Sequence, residues 1–346
     1  MPLPFRDRVI QHLLYNYIAP LLDKRFIYDS YSCRVGKGTL CGIQRFDHHL
    51  RSVTGNYRYQ AYILQLDVQG YFMAIVRERL YLIVWDILHG CRKEELEGLD
   101  LELIDYLLRA ILFRDPVKNA IRIGPLSDWD NLPASKSLLK SSPGIGLPIG
   151  DLTSQLFSNV YLGRLDEYVK RVLKVEHYGR YVDDFYLMHN SKGFLLEAVD
   201  AIREYLWKEL CLTLHPKKIR LVPACYGGKF LGAYILPHRM YVANRTVRKF
   251  HASMSKLELE CTETIPTIVR LTQMRSVINS YCGYMKHFRC FRILDRQFRE
   301  SPLRKYFGFT KDYGKAFIPG DDGIKGRFMF DDLDLMNDFL LSEDMV

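Results

Sequence analysis

Apolar side chains recur every three or four residues along most of the chain, which is the spacing of an amphipathic helix. The first such stretch runs from Arg6 to Leu22 and contains Pro20, which favours a kink or an end near that position. The same periodicity predicts helices over residues 74–89, 99–113, 151–173, 194–210, 247–261 and 268–288, with Asp151 as an N-cap. A polar connection rich in glycine, proline and serine runs from Asp115 to Pro143.

Three stretches favour strands and tight turns instead. YILQLDVQGYF, residues 62–72, begins like a strand that ends near Gly70. YGRYVDDFYLM, residues 178–188, is an apolar hairpin with two aspartates at its turn, and a second hairpin is predicted around GGKFLGAYILP, residues 227–237. Strands interleaved with helices, with hairpins among them, predict an α+β fold with an antiparallel sheet.

The composition is that of a folded protein without a membrane anchor. Of the 346 residues, 48% are hydrophobic, which is enough to bury a substantial interior. No apolar run approaches the length of a membrane span and the N-terminus lacks a signal peptide's apolar region, so a cytoplasmic protein is expected. The eight cysteines form no C-x-x-C pair, which favours reduced thiols over a zinc site.

The charge is positive overall and unevenly distributed. The net charge is +9, but residues 317–346 contain eight acids and two bases and so carry −6. The rest of the chain therefore carries +15, which predicts a polyanionic partner such as nucleic acid. Composition alone also fits a ribosome-associated protein or one bound to a membrane surface.

Three aspartates are the candidate chemistry. Asp67 ends the first predicted strand, and Asp183 and Asp184 occupy the hairpin turn. If these strands are neighbours in one sheet, the three carboxylates meet at its edge and offer the oxygen ligands that Mg²⁺ prefers. Two such ions about 3.5–4 Å apart would serve an in-line phosphoryl transfer. The alternative is ordinary turn chemistry, because aspartate is common in tight turns without any catalytic role.

Four motifs and the N-terminal region resemble those of reverse transcriptases, in the expected order. YVDD at residues 181–184 is similar to their palm motif C, LQLDVQGYF at 64–72 to motif A, LTLHPKKIRL at 212–221 to motif D, and KFLGAYI at 229–235 to motif E. The segment from Phe5 to Thr39 resembles the opening fingers region of bacterial members, and the similarity extends to about Gln297. The resemblance implies a right-hand polymerase with fingers, an antiparallel-sheet palm and a helical thumb.

The same resemblance implies a division of the chain. The fingers would be residues 1–55 and 75–148, the palm 56–74 and 149–240, the thumb 241–300, and residues 301–346 an acidic C-terminal tail. The upstream fingers strand, whose bases bind the triphosphate, is expected to be missing, because the chain begins MPLPFRDRV just past its usual place. Nucleotide binding is then expected to be weak unless another element supplies those bases.

GLPIGDLTSQLFSNVYL, residues 146–162, points to a narrower group. Most reverse transcriptases have Q-G-x-x-x-S-P here, whereas this form is similar to those of diversity-generating retroelements, which copy a template repeat with frequent errors at adenines. The resemblance implies an error-prone RNA-directed DNA polymerase encoded by a bacterium or phage. Two alternatives stay open: a reverse transcriptase of another bacterial lineage, of the abortive-infection or group II-like kind, and a non-catalytic RNA-binding scaffold on the same fold.

The resemblance also assigns roles to individual residues around the carboxylates. Asp67, Asp183 and Asp184, together with the backbone carbonyl of Val68, would hold two Mg²⁺ ions. Phe72 would be the steric gate that leaves no room for a 2′-hydroxyl and so selects deoxynucleotides. Without the resemblance, Phe72 is better explained as a core aromatic residue.

Three residues of the 146–162 segment are assigned to substrate binding by the resemblance. Gly150 would let the backbone approach the nascent pair, and Gln155 is assigned to the same site. Ile149 replaces a glutamine whose amide lies near the incoming nucleotide and the template in other members. An aliphatic side chain cannot hydrogen-bond there, so Ile149 is expected to contribute to low fidelity.

Several basic residues would contact nucleic acid or phosphate. Lys218 would be the motif D lysine near the leaving pyrophosphate, as a cation or proton donor, and Lys217 is the rival. Arg34 would reach nucleic acid or nucleotide phosphate, with structural pairing as an equal alternative. A basic thumb would grip an RNA–DNA duplex through Arg245, Arg248, Lys249, Lys256, Arg270, Arg275, Lys286, Arg289 and Arg292. The alternative is an amphipathic bundle with a solvated face.

The expected partners follow from this resemblance. They are a template RNA, the cDNA or primer strand, and dNTPs, with no membrane partner. A small basic accessory protein of the retroelement is a further expected partner, because the acidic tail has the opposite charge.

Overall fold

The computed structural model describes residues 4–118 and 132–319, which belong to two compact units, Met1–Leu231 and Gly232–Val346. Part of the predicted polar connection, and the tail from residue 320 onward, lie outside the described residues. Within these described ranges, no helix has both the length and the apolar character needed to cross a bilayer.

The described part of the first unit contains the helices α1 (Phe5–Asp23), α2 (Thr39–Val53), α3 (Tyr71–Ala74), α4 (Arg77–His89), α5 (Lys93–Leu96), α6 (Leu101–Leu112), α7 (Leu152–Glu167) and α8 (Lys192–Leu210). All of these helices except α2 pack against one apolar core. Five predicted helices are confirmed by α1, α4, α6, α7 and α8, and α1 continues past Pro20 to Asp23. A π-helical turn, Tyr168–Val172, follows α7 directly and carries it to the predicted end.

Helix α2 is absent from the elements predicted above, although its apolar positions have helical spacing. Ile43, Phe46, Leu50 and Val53 are buried on one face of this helix. The residues between them are mostly charged or polar, and the glycine-punctuated stretch just before it is typical of a loop. The local sequence therefore carries the amphipathic signal for α2, which the prediction missed beside this loop.

A four-stranded antiparallel sheet positions the candidate chemistry. Its strands are β1 (Tyr62–Asp67), β2 (His177–Tyr181), β3 (Asp184–His189) and β4 (Arg220–Pro223), in the order β2-β3-β1-β4. The inner strand β1 has four consecutive buried residues, as expected for a strand covered on both faces. The antiparallel sheet and the surrounding helices confirm the mixed α and β class.

The second unit is a hairpin followed by helices. Strands β6 (Ala233–Leu236) and β7 (Arg239–Val242) pair antiparallel, while the short β5 (Gly228–Phe230) ends within the first unit. The helices are α9 (Asn244–Glu263), α10 (Ile268–Met285) and α11 (Phe291–Phe298), and the predicted helices over 247–261 and 268–288 correspond to α9 and α10. The predicted boundaries between fingers, palm and thumb stay a prediction.

The chain after Ser301 continues the fold of the second unit up to Ile318. Strands β8 (Gly308–Phe309) and β9 (Ala316–Phe317) pair antiparallel, and the Phe309 ring stacks on Phe298 of α11 with 4.5 Å between centroids. The Asn279 side chain of α10 binds the backbone of Ala316 through both its oxygen, at 2.6 Å, and its nitrogen, at 2.9 Å. The acidic residues predicted as a tail therefore follow a folded segment instead of beginning at residue 301.

A buried polar network joins α2 to the sheet in the first unit. The Arg45 guanidinium donates to both carboxylate oxygens of Asp29, at 2.7 and 3.1 Å, and the Tyr31 hydroxyl donates to the same carboxylate at 3.0 Å. His49 Nδ1 lies 3.0 Å from the Tyr186 hydroxyl. Burial acts to raise the pKa of Asp29, but the contacts with His49 and Arg45 outweigh it and hold the pKa well below its usual range.

Replacing Asp29 with asparagine is expected to lower the free energy of unfolding by about 3 kcal/mol at pH 7, because it leaves the Arg45 charge unpaired. The contribution of a carboxylate with a lowered folded pKa is fully present above its unfolded pKa of about 4 and is lost as the pH falls. Because the folded pKa lies far below 4, urea unfolding should separate wild type and Asp29→Asn clearly at pH 7 and by a smaller margin only near pH 2.

The matched control for this measurement is Asp86→Asn, which removes an exposed carboxylate paired with Arg164. Surface pairs of this kind contribute at most about 1 kcal/mol. An Asp29→Asn difference of equal size at both pH values would contradict a stabilising charged Asp29.

Candidate active site

The structure brings the three aspartates to one end of two neighbouring strands. Asp67 is the last residue of β1 and lies directly opposite Asp184, the first residue of β3. The backbone N–H of Val68 donates to the carbonyl of Asp183 at 3.3 Å, which ties the hairpin turn to the end of β1. Residues more than a hundred positions apart in sequence therefore lie side by side at this edge.

A two-residue turn connects β2 to β3 and carries Asp183. Tyr181 and Asp184 close the hairpin, and Val182 and Asp183 form its turn. Val182 has a φ of +57°, in the left-handed region that β-branched residues rarely adopt. A conformation of this kind costs roughly 1–3 kcal/mol and persists only where surrounding contacts hold it.

The other edge of β1 is attached to the loop before β4. The N–H of His215 donates to the carbonyl of Asp67 at 2.8 Å, and the N–H of Gln69 donates to the carbonyl of Thr213 at 2.9 Å. Lys218 follows in the same loop, and its Nζ donates to Asp67 Oδ2 at 2.7 Å. The loop therefore holds Asp67 through its backbone and its side chain.

The charges of the site are crowded. Burial and the neighbouring carboxylates of Asp67 and Asp183 raise the pKa of Asp184 to about 7. Burial and the carboxylate of Asp67 also raise the pKa of Asp183 above its usual range. The hydrogen bond to Asp67 raises the pKa of Lys218, whose side chain is more than half exposed. One accessible ammonium thus accompanies three carboxylates, and the site retains an excess of negative charge.

The donor set suits a hard divalent cation in an open arrangement. Mg²⁺ is commonly held by one or two carboxylates, with waters and substrate phosphates completing its shell. Across residues 4–118 and 132–319, no three His, Cys, Asp or Glu side chains converge tightly enough to hold a metal ion. The carboxylates of Asp67, Asp183 and Asp184 are the ligand type that the ion prefers. They do not form a closed cage around it. Val68 is buried, and its carbonyl stays a predicted ligand.

The residues assigned to nucleotide and template binding lie in α3, in the segment just before α7 and in α7 itself. Phe72, in the short helix α3, is half-buried against the core, and its carbonyl accepts the N–H of Leu147 at 2.8 Å. Ile149 is 69% exposed just before α7. Gly150 has a φ of +103°, with no atom within 4 Å of where a Cβ would stand, so backbone conformation favours glycine there. Gln155 is half-buried in the first turns of α7.

A cavity of about 370 Å³ lies directly after the strand that carries Asp67. Its lining includes Gln69, Gly70, Met73, Lys140 and Thr213. The volume is within the range of sites that bind small molecules. Space for a ligand of this size therefore adjoins the carboxylate edge.

Arg34 is occupied by contacts within the first unit. Its Nε donates to Asp23 Oδ1 at 2.6 Å, and its Nη1 donates to the carbonyls of Ile27 and Ser30 at 2.7 and 3.0 Å. Only 10% of its side chain is exposed. These contacts favour the structural pairing of Arg34 over a contact with phosphate.

In the second unit, the basic residues of α9 are exposed, whereas Tyr281 and Phe288 are partly or fully buried. Arg245, Arg248, Lys249 and Lys256 are exposed along α9. Phe288 is buried, whereas Tyr281 is half-buried and its hydroxyl lies 3.2 Å from Ser253 Oγ. The aromatic residues thus stabilise the helical unit from inside, and its exposed surface carries the bases.

A buried arginine next to the carboxylates is missing from the residues predicted above. Arg180 in β2 is fully buried and makes a bidentate ion pair with Asp166 of α7, at 2.7 and 2.6 Å. The ion pair with Asp166 outweighs burial and keeps the pKa of Arg180 above its usual range. A charged residue within an apolar strand is the signal that indicates such a partner, because an unpaired buried charge is costly.

Comparisons with known proteins give a distant structural likeness. No family model matches the chain, and no curated protein matches it. Apo telomerase from Candida tropicalis is similar with a TM-score of 0.49 and 13% identity over 83% of this chain and 51% of that one. Telomerase from Candida albicans in complex with a fragment of telomeric RNA is similar with a TM-score of 0.45 and 10% identity over 83% and 49%.

The chain therefore spans about half the length of the solved structures it matches. Telomerase from Candida tropicalis with a telomeric RNA fragment has similar values, with a TM-score of 0.47 and 11% identity. At these values the likeness assigns neither a family nor a function to this chain.

Proposed function

We propose that this chain is an RNA-directed DNA polymerase that synthesises cDNA on a template RNA. The observation that carries the proposal is the direct opposition of Asp67 and Asp184 on adjacent antiparallel strands, with Asp183 in the turn beside them. A right-hand polymerase with a palm built on this sheet accounts for that arrangement. A non-catalytic scaffold gives no reason for placing three carboxylates together where burial and the neighbouring carboxylates disfavour charge on Asp183 and Asp184.

The residues of the site have distinct tasks in this reaction. When bound, two Mg²⁺ ions supply activation of the attacking hydroxyl and neutralisation of the charge that develops on the phosphoryl group. Asp67, Asp183 and Asp184 hold the ions. The Lys218 ammonium, already at the edge of the site on Asp67, places a positive charge and a proton where pyrophosphate leaves. Phe72 excludes the 2′-hydroxyl of the incoming nucleotide.

The proposal is tested by primer extension on RNA and DNA templates of the same sequence, with Mg²⁺ and either dNTPs or NTPs. Incorporation of dNTPs on the RNA template supports it. Incorporation of NTPs alone, or no incorporation on either template, would overturn it.

We further propose that the enzyme is of the diversity-generating kind and makes frequent errors at template adenines. The motif at residues 146–162 supports this, together with an aliphatic side chain at position 149 that is open to solvent. Its partners would be a template RNA, a primer or cDNA strand, dNTPs and a small basic accessory protein, in the cytoplasm of a bacterium or of a phage-infected cell.

Replacing Ile149 with glutamine is expected to reduce misincorporation opposite adenine several-fold, because an amide there can hydrogen-bond to a correctly placed pair. The measurement is sequencing of cDNA made on one RNA template by both enzymes. Ile265→Gln, at an isoleucine of the second unit that is 86% exposed, is the matched control and should leave the error rate unchanged. An unchanged adenine error rate in Ile149→Gln would remove this role.

A further inference from the structure

The hairpin turn that carries Asp183 contains a strained residue, and two buried side chains hold it. Val182 adopts a left-handed φ of +57°, which a β-branched residue leaves unless its peptide groups are fixed. Its carbonyl accepts a hydrogen bond from Arg180 Nη1 at 3.0 Å. Its N–H donates to Ser32 Oγ at 3.3 Å. Both peptide groups of Val182 therefore have buried partners.

Arg180 is itself fixed by α7 and by the segment that precedes α2. Beyond its bidentate pair with Asp166, its Nη1 donates to Asn159 Oδ1 at 3.3 Å and its Nη2 donates to Ser30 Oγ at 3.2 Å. Tyr178 donates its hydroxyl to Asp166 at 2.6 Å, which adds a third hydrogen bond to that carboxylate. The planar guanidinium thus connects helix, loop and turn in one geometry that a lysine ammonium cannot reproduce.

Ser32 is the second support of the turn and is fixed in the same way. Its hydroxyl donates to Asn159 Oδ1 at 2.8 Å, and its carbonyl accepts from Asn159 Nδ2 at 2.7 Å. Asn159 is fully buried in α7. Helix α7 therefore controls the conformation of Val182 through two separate routes, one through Arg180 and one through Ser32.

We propose that Arg180 is a positioning residue that keeps the Val182–Asp183 turn in its strained conformation, so that Asp183 and Asp184 present their carboxylates together to a divalent cation. The inference rests on the proposed function, since it concerns the metal-binding step of that reaction. A purely structural ion pair would stabilise the first unit without affecting how tightly a cation binds. Side chains that orient metal ligands typically change metal affinity 10–100-fold when replaced.

The test measures Mn²⁺ binding by isothermal titration calorimetry on the full chain, without nucleotides, alongside thermal unfolding. Arg180→Lys keeps the charge but loses the forked contacts, and about tenfold weaker Mn²⁺ binding is expected. Arg299→Lys is the matched control, because Arg299 makes a two-point pair with Asp295 in the second unit. It should leave Mn²⁺ affinity unchanged.

A glycine at position 182 distinguishes an effect of Arg180 on the geometry of the turn, measured as Mn²⁺ affinity, from its effect on stability, measured as the melting temperature. Glycine adopts a positive φ at no steric cost, so it removes the strain that Arg180 has to hold. Val182→Gly in the Arg180→Lys background is therefore expected to restore most of the Mn²⁺ affinity while the melting temperature stays low. Recovery of neither quantity, or of both together, would overturn the positioning role.

The outcomes distinguish this inference from the proposed function. If wild type and Asp184→Asn bind Mn²⁺ equally weakly, the metal site of the proposed polymerase fails. If Asp184→Asn loses binding while Arg180→Lys keeps it, only the positioning role of Arg180 fails. Should Arg180→Lys not fold, Ser32→Ala takes its place, and several-fold weaker Mn²⁺ binding is expected together with a lower melting temperature, because two hydrogen bonds are lost. Unchanged binding in Ser32→Ala would then overturn the inference.

Discussion

Replacing Asp184 with asparagine is expected to lower the rate of dNTP incorporation at least about a thousandfold. The neutral amide has nearly the same shape, but it cannot supply the negative charge that holds a divalent cation beside Asp67 and Asp183. Burial and these neighbouring carboxylates already disfavour charge on Asp184, so the variant should fold at least as stably as wild type. Single-nucleotide extension on an RNA template, with thermal unfolding in parallel, measures both effects.

The control for Asp184→Asn is Asp200→Asn, which neutralises an exposed carboxylate of α8 paired with Arg203. Incorporation by this variant should remain within about twofold of wild type, because surface pairs contribute little. Equal incorporation by wild type and Asp184→Asn would overturn the assignment of the chain as a polymerase. A lower melting temperature in Asp184→Asn would contradict the crowding of charge at the site.

Replacing Lys218 with alanine is expected to slow the single-turnover rate of incorporation about a hundredfold, with a smaller effect on the KM for dNTP. The ammonium lies on Asp67 Oδ2, at the edge where the proposed reaction would release pyrophosphate, and a positioned proton donor contributes about this much. Removing it takes away a charge that acts on the leaving group more than on the bound substrate.

Lys217 provides the matched control, because it carries the same charge and lies in the same loop as Lys218. Lys217 is exposed, and its backbone N–H donates to His215 Nδ1 at 3.2 Å. Lys217→Ala should change the incorporation rate by less than about threefold. If Lys217→Ala is the slower variant, the motif D role belongs to Lys217 instead of Lys218.

The local pattern was sufficient to locate the carboxylates but not to pair the strands that carry them. An aspartate at a strand end and two at a hairpin turn are visible in the sequence, and the apolar and aromatic residues around them indicate the strands. The register of Asp67 opposite Asp184 depends on contacts between residues more than a hundred positions apart. No periodicity within either strand specifies such a partner.

The partners of individual arginines could not be predicted from the sequence for the same reason, because they depend on the fold. Arg34 was a candidate phosphate ligand and Arg180 was not among the predicted residues, yet both are used inside the first unit, on Asp23 and on Asp166. Their partners lie 11 and 14 residues away, on elements that approach only through tertiary packing. The folding of residues after Ser301 was likewise decided by packing against distant apolar surfaces.

The double attachment of Asp67 to the loop at residues 213–218 has a mechanical consequence. His215 binds the backbone of this aspartate and Lys218 binds its carboxylate, so the loop and the end of β1 are coupled and move together. If an arriving or departing phosphate displaced the loop, the carboxylate of Asp67 would shift relative to those of Asp183 and Asp184. Changes in the length or stiffness of this loop would therefore alter the distances between the three carboxylates without replacing any of the aspartates.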